Sequence, residues 1–126
     1  MSSPRTPRLR VLVVDANPNV RNLFHARLTE QGCDYRGAAT RDEAVRLYDS
    51  FRPDVVLFDV EAVEVGSYEA VRRLPESVFS QRAWLVALTG RSREVGFDLL
   101  LAKPFEGTAL DTLLRACAAA TLTEFD

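Results

Sequence analysis

With 126 residues, 47% apolar and 27% charged, the chain is long enough for one domain with a real core and reads as an ordinary soluble, globular protein. Sixteen basic against 18 acidic side chains leave a net charge of -2, which argues against non-specific nucleic-acid binding, since that needs a clear basic excess. No apolar run approaches the roughly 20 residues of a membrane span, and the opening "MSSPRTPRLR" has no apolar h-region of a secretory signal. Residues 1–8 read as a flexible arm, 9–122 as a single domain and 123–126 as a tail.

Strand and helix signals alternate along the chain. "LRVLVV" (9–14) is a continuous apolar run, as a strand buried on both faces should be. "NPNVRNLFHARLTEQG" reads as a helix: Asn17 can cap it, Pro18 suits its first turn and Gly32 closes it. Its expected inward stripe is Val20, Leu23, Phe24 and Leu28. "CDYRGA" (33–38) is a weaker, half-polar second strand suited to a sheet edge.

"TRDEAVRLYDSF" opens with a capping box from Thr40 to Glu43, and Ala44, Leu47, Tyr48 and Phe51 follow at helical spacing. "PDVVLFD" is the third strand and ends in Asp59. "SYEAVRRL" (67–74) reads as a short helix. "AWLVALT" is the fourth strand, ending in Thr89, and "DLLLA" the short fifth, followed by "KPF". "TALDTLLRACAAA" is the last helix, with Leu110, Leu113, Leu114 and Cys117 inward. Such alternation predicts an α/β fold, a parallel sheet with helices on both faces. Cys33 and Cys117 lie outside any Cys-x-x-Cys and the lone His25 has no ligand neighbour, so the thiols read as small buried hydrophobes in a reducing cytoplasm.

In sheets of this kind ligands bind at the carboxyl ends of the strands. Asp15, Asp59 and Thr89 stand at three of those ends, and Lys103 follows the fifth strand. Two carboxylates, a hydroxyl and an ammonium suit phosphoryl chemistry. Carboxylates hold a hard cation such as Mg²⁺, and an aspartate can itself become an acyl phosphate. A hydroxyl and a lysine can then hold the phosphoryl oxygens as charge shifts. Singly, Asp15 and Thr89 also read as caps of the helices that follow. Asp59, after "VVLF", has no such simple structural role.

"RVLVVDANP", "FRPDVVLFDV", "LVALTG" and "LAKPF" together resemble the receiver domain of bacterial two-component response regulators, over nearly the whole chain. In motif they look most like receivers attached to hybrid sensor kinases. The resemblance implies a flavodoxin-like, doubly wound five-stranded parallel sheet of order 2-1-3-4-5. It implies Asp59 as phosphoacceptor for a histidine kinase or histidine phosphotransfer protein, Thr89 and Lys103 as phosphoryl contacts, and Mg²⁺ on Asp15, Asp59 and the backbone carbonyl of Glu61. The Lys103–Pro104 bond is often cis in the family. A receiver is a signalling phosphoacceptor, not an enzyme acting on a metabolite. No DNA-binding or catalytic output domain is legible, so output is expected to pass by contact or by phosphoryl transfer.

The sequence departs from the family pattern at four places. Ala16 stands where the second acid after strand one belongs, so Mg²⁺ is expected to bind weakly, with the Glu61 carboxylate as a partial substitute. Val63 replaces a proline and Gly66-Ser67 an Asp-Gly in the loop after Asp59. Nine residues (90–98) separate Thr89 from the fifth strand, against about 11 for a mean helix alone, so the fourth helix is expected to be reduced to about a turn, "SREV", or lost. Leu100 takes the place of the aromatic switch residue and has no ring to swing.

Three other functions compete. A degenerate receiver would serve as a phosphorylation-independent binding module, which Ala16 and Leu100 favour and the Asp59, Thr89, Lys103 trio opposes. A haloacid-dehalogenase-type phosphatase also uses an aspartyl nucleophile, but needs a later acidic pair, for which only Glu106 and Asp111 are available. A flavodoxin needs a hydroxyl- and glycine-rich loop after strand one, which "DANPN" is not.

Overall fold

The structure, a computed structural model, describes residues 8–59, 83–89, 98–103 and 107–124, without the side chains of 41 and 120–124. Its elements run β1 (Arg10–Val14), α1 (Pro18–Glu30), β2 (Asp34–Ala38), α2 (Arg41–Phe51), β3 (Val55–Asp59), β4 (Trp84–Thr89), β5 (Leu99–Ala102) and α3 (Gly107–Glu124). The five strands form one sheet of order β2-β1-β3-β4-β5, all pairs parallel, as expected. The half-polar β2 lies at an edge, where one row of backbone groups needs no strand partner.

Strand geometry sends successive side chains to opposite faces, and the core splits accordingly. Val11, Val13, Val55 and Leu57 pack with Phe24 and Leu28 of α1 and with Leu110, Leu114 and Cys117 of α3. Leu12, Val14, Val56 and Phe58 pack on the other face with Ala44 and Tyr48 of α2. Continuous apolar strands are therefore buried on both sides. The expected inward stripe of α1 fails at one position. Leu23 is 51% exposed, because the helix turns only Phe24 and Leu28 fully toward the sheet, with Val20 partly buried.

Helix ends follow local chemistry. Asn17 caps α1 by accepting from the Asn19 N–H, and Pro18 takes the first position. Gly32, at φ 79°, closes it, with the Cys33 N–H donating to the Leu28 carbonyl at 2.9 Å. Thr40 accepts from the Glu43 N–H at 3.2 Å, and Glu43 Oε1 reaches back to the Ala39 N–H at 2.7 Å, one residue earlier than the usual reciprocal bond. Thr40→Ala is expected to lower the unfolding free energy by about 1 kcal/mol in urea denaturation.

At the sheet end away from the strand carboxyl termini, Asp54 Oδ2 accepts from the Arg10 N–H and Asp98 Oδ2 from the Leu85 N–H, tying strand starts together. Arg8, assigned to the arm, pairs with Asp34 at 2.8 Å, and α3 runs two residues beyond the expected boundary at 122, to Glu124. The expected helices at 67–74 and 92–95, the loop positions Val63, Gly66 and Ser67, and the Lys103–Pro104 bond all lie outside the described residues.

Candidate functional site

The β1–β3 register pairs Val14 with Phe58, so the next step along both strands sets Asp15 opposite Asp59. On the other side of β3, Asp59 pairs with Leu88, one residue before Thr89, and Thr89 pairs with Ala102, one residue before Lys103. Parallel register alone thus gathers Asp15, Asp59, Thr89 and Lys103 at one edge. These are the residues singled out from the sequence; Glu61 lies outside the described residues.

All three non-lysine groups are buried: Asp15 and Thr89 fully, and Asp59 to 6% exposure. Lys103 Nζ donates to Asp59 Oδ1 at 2.7 Å, and its own backbone N–H is held by the Thr89 carbonyl at 2.8 Å. A charge-assisted bond of this length between a nearly buried carboxylate and an ammonium is strong and directional.

Asp15 has an unequal carboxylate. Oδ1 accepts from the Asn17 N–H at 2.8 Å, while Oδ2 is buried with no hydrogen-bond partner among the described residues. Burial pushes the Asp15 pKa up to about 6; the Asn17 N–H opposes this, the neighbouring Asp59 carboxyl adds to it, and Lys103 opposes it. Two neighbouring ionised carboxylates repel each other, so this pair favours a proton or a cation between them. The donor set suits a hard divalent cation in kind, through carboxylate oxygens alone. It is sparse in number: among the described residues no group of three or more His, Cys, Asp or Glu side chains could hold a metal. Ala16, exposed in the turn after Asp15, brings no carboxylate to the pair.

No family model matches the sequence. The transcriptional regulatory protein TrcR of Mycobacterium tuberculosis is 33% identical over 115 residues, which is 85% of this chain and 44% of the relative. The chemotaxis response regulator CheY4 of Vibrio cholerae has the same fold, with a TM-score of 0.76 and 24% identity over 88% of this chain and 99% of that one. The receiver domain of sensor histidine kinase PA1611 from Pseudomonas aeruginosa, solved with a magnesium ion coordinated in its active-site cleft, has a TM-score of 0.75 and 25% identity, covering 90% and 99%. The chain is a receiver domain of two-component systems. It spans less than half the length of the first curated relatives it matches.

One feature of the receiver's site was not legible in the sequence. Arg21, in the first turns of α1, donates from Nη1 to the Asp15 carbonyl at 2.7 Å. An arginine on a polar helix face ordinarily reads as a solvated charge, and nothing in its spacing marks a reach back across the turn. Leu100 lies on β5 opposite Ala87 of β4 and is 39% exposed. Cys33 and Cys117 are both buried, with burial raising their thiol pKa values, Cys117 to about 11, which fits packing rather than reactivity. Among the described residues no helix is long and apolar enough to cross a membrane.

Proposed function

We propose that this receiver takes a phosphoryl group onto Asp59 from the phosphohistidine of a histidine kinase or histidine phosphotransfer protein in a cytoplasmic relay. The observation that carries the reading is the 2.7 Å Lys103–Asp59 contact beside the buried Asp15 carboxylate, one of whose oxygens has no hydrogen-bond partner among the described residues. In the transfer an Asp59 carboxylate oxygen attacks phosphorus, a P–O bond forms and the P–N bond breaks. The electron pair of the broken bond stays on the donor nitrogen, which leaves as neutral imidazole if its other nitrogen carries a proton. Negative charge moves from the Asp59 carboxylate toward the phosphoryl oxygens. The Lys103 ammonium follows that charge, and the Thr89 hydroxyl donates to one phosphoryl oxygen.

Asp15 and Asp59, with the Glu61 backbone carbonyl, are the groups that would hold Mg²⁺, whose contribution when bound is to neutralise charge on the phosphoryl oxygens. The magnesium in the PA1611 receiver's cleft supports this reading. Ala16 weakens it, and Ala16→Asp is expected to raise Mg²⁺ affinity at least about tenfold by restoring a carboxylate ligand, as read by titration calorimetry. An unchanged affinity would mean that residue 16 does not face the cation.

Incubation with acetyl phosphate, with and without Mg²⁺, followed by intact-mass measurement, tests the proposal. A Mg²⁺-dependent phosphoryl adduct supports it. No adduct even at high Mg²⁺ favours the second reading, a phosphorylation-independent binding module, for which the exposed Leu100 on β5 and the methyl group at 16 speak.

A further inference from the structure

The β1–α1 turn carries one acid instead of two, yet its remaining carboxylate is held in a defined orientation. Three bonds hold Asp15, one on its carboxylate and two on its backbone. The Asp15 N–H donates to the Ala38 carbonyl at 2.9 Å, which continues the β1–β2 ladder. The Asn17 N–H takes Asp15 Oδ1 at 2.8 Å, leaving Oδ2 toward the interior. The third is the Arg21 guanidinium on the Asp15 carbonyl oxygen at 2.7 Å. That bond fixes the peptide plane joining Asp15 to Ala16, where the alanine methyl can make no hydrogen bond of its own.

The helix backbone at Arg21 is itself braced from β2. The Tyr35 hydroxyl donates to the Arg21 carbonyl at 3.2 Å, and the Tyr35 ring stacks on His25 at 4.4 Å between centroids. Gly37 leaves the room for this. A methyl group there would collide with the Tyr35 hydroxyl and press on Arg21 Cδ at 3.2 Å. A guanidinium is a fixed fork, so a braced arginine can hold a carbonyl more rigidly than a lysine.

We propose that Arg21 is a positioning residue: its guanidinium on the Asp15 carbonyl holds the β1–α1 turn so that the Asp15 carboxylate stays directed at Asp59. The inference rests on the cation-site reading above and deepens it. Arg21 touches neither phosphoryl group nor cation. It acts through Asp15, as the groups behind metal ligands do when they fix a ligand's orientation.

The test compares wild type, Arg21→Ala, Arg21→Lys and the exposed α2 variant Arg46→Ala. Amide hydrogen exchange at Asn17, whose N–H binds Asp15 Oδ1, reads the turn directly and needs no metal. Mg²⁺ titration reads its consequence. Arg21→Ala is expected to speed Asn17 exchange and weaken Mg²⁺ binding, each about tenfold, with partial recovery in Arg21→Lys and no change in Arg46→Ala. Gly37→Ala, which displaces the brace, should move both readouts the same way. Exchange and affinity within about twofold of wild type in Arg21→Ala would overturn the proposal, as would faster exchange with unchanged affinity. A wild-type chain that binds no Mg²⁺ would defeat the cation reading instead, and Asn17 exchange alone would then decide the role of Arg21.

Discussion

Asp59→Asn is expected to take up no phosphoryl group from acetyl phosphate under conditions in which wild type does, whereas Lys103→Ala should still react, but roughly 10²–10³-fold more slowly. The asymmetry follows from the geometry. Asparagine offers an amide oxygen of nearly the same shape, but it is a poor nucleophile and cannot form the acyl phosphate. Lys103 supplies charge rather than a bond. Its ammonium sits 2.7 Å from Asp59 Oδ1 in a site where Asp59 is 6% exposed, so little water is present to take its place. Thr89→Ala should fall between wild type and Lys103→Ala, since it removes one neutral donor. Intact-mass time courses separate the three. An adduct that persists in Asp59→Asn would move the acceptor elsewhere, and an unaffected Lys103→Ala would make the ion pair a structural bond only. Retention of a cooperative urea transition in each variant keeps loss of fold out of the comparison.

The second large effect is on stability, and it comes from Asp15. Its pKa in the folded chain is raised from 3.8 to about 6, first by burial and further by the adjacent Asp59 carboxyl. The folded state therefore holds a proton that the unfolded chain releases. A raised pKa contributes stability that is fully present below the unfolded value near pH 4 and is lost as pH rises through about 6. In the absence of divalent cations Asp15 should thus become a liability above pH 6. Asp15→Asn cannot ionise, its side-chain oxygen can still accept from Asn17, and its amide can donate to Asp59. Relative to wild type it should be more stable at pH 8 by on the order of 2 kcal/mol, several degrees in melting temperature, with the difference vanishing near pH 4. Added Mg²⁺ should narrow the gap at pH 8 by stabilising wild type, because a ligand bound only by the folded state raises its stability. A difference that does not depend on pH would show that Asp15 is not the titrating group.

Much of this receiver was legible before any fold was known. The alternation of apolar runs with capped, periodic segments decided the α/β class. Parallel strands buried on both faces need continuous apolar sequence, and "VLVV" and "VVLF" supply it. Asp15, Asp59, Thr89 and Lys103 were readable as one set because they stand at strand ends, and parallel register necessarily carries strand ends to a common edge. Ala16 was readable for the same reason, as a gap in that set.

What sequence could not decide was orientation. Leu23 fits an inward stripe by spacing, yet it is 51% exposed, because how far a helix rolls on a sheet is fixed by packing against residues distant in the chain. The burial that lifts the Asp15 pKa to about 6, and the lack of a hydrogen-bond partner for its Oδ2 among the described residues, exist only once β2 and β3 flank β1. Arg21 makes the point most sharply. From the sequence it is one more charge on a polar helix face; in the fold its guanidinium reaches the Asp15 carbonyl past the bare Cα of Gly37, and its backbone carbonyl accepts from the Tyr35 hydroxyl on β2. Local patterning selects elements and their ends, because it acts through nearest-neighbour geometry. Side-chain direction, burial and charge coupling are properties of distance in space, and those arise only when the sheet has closed around them.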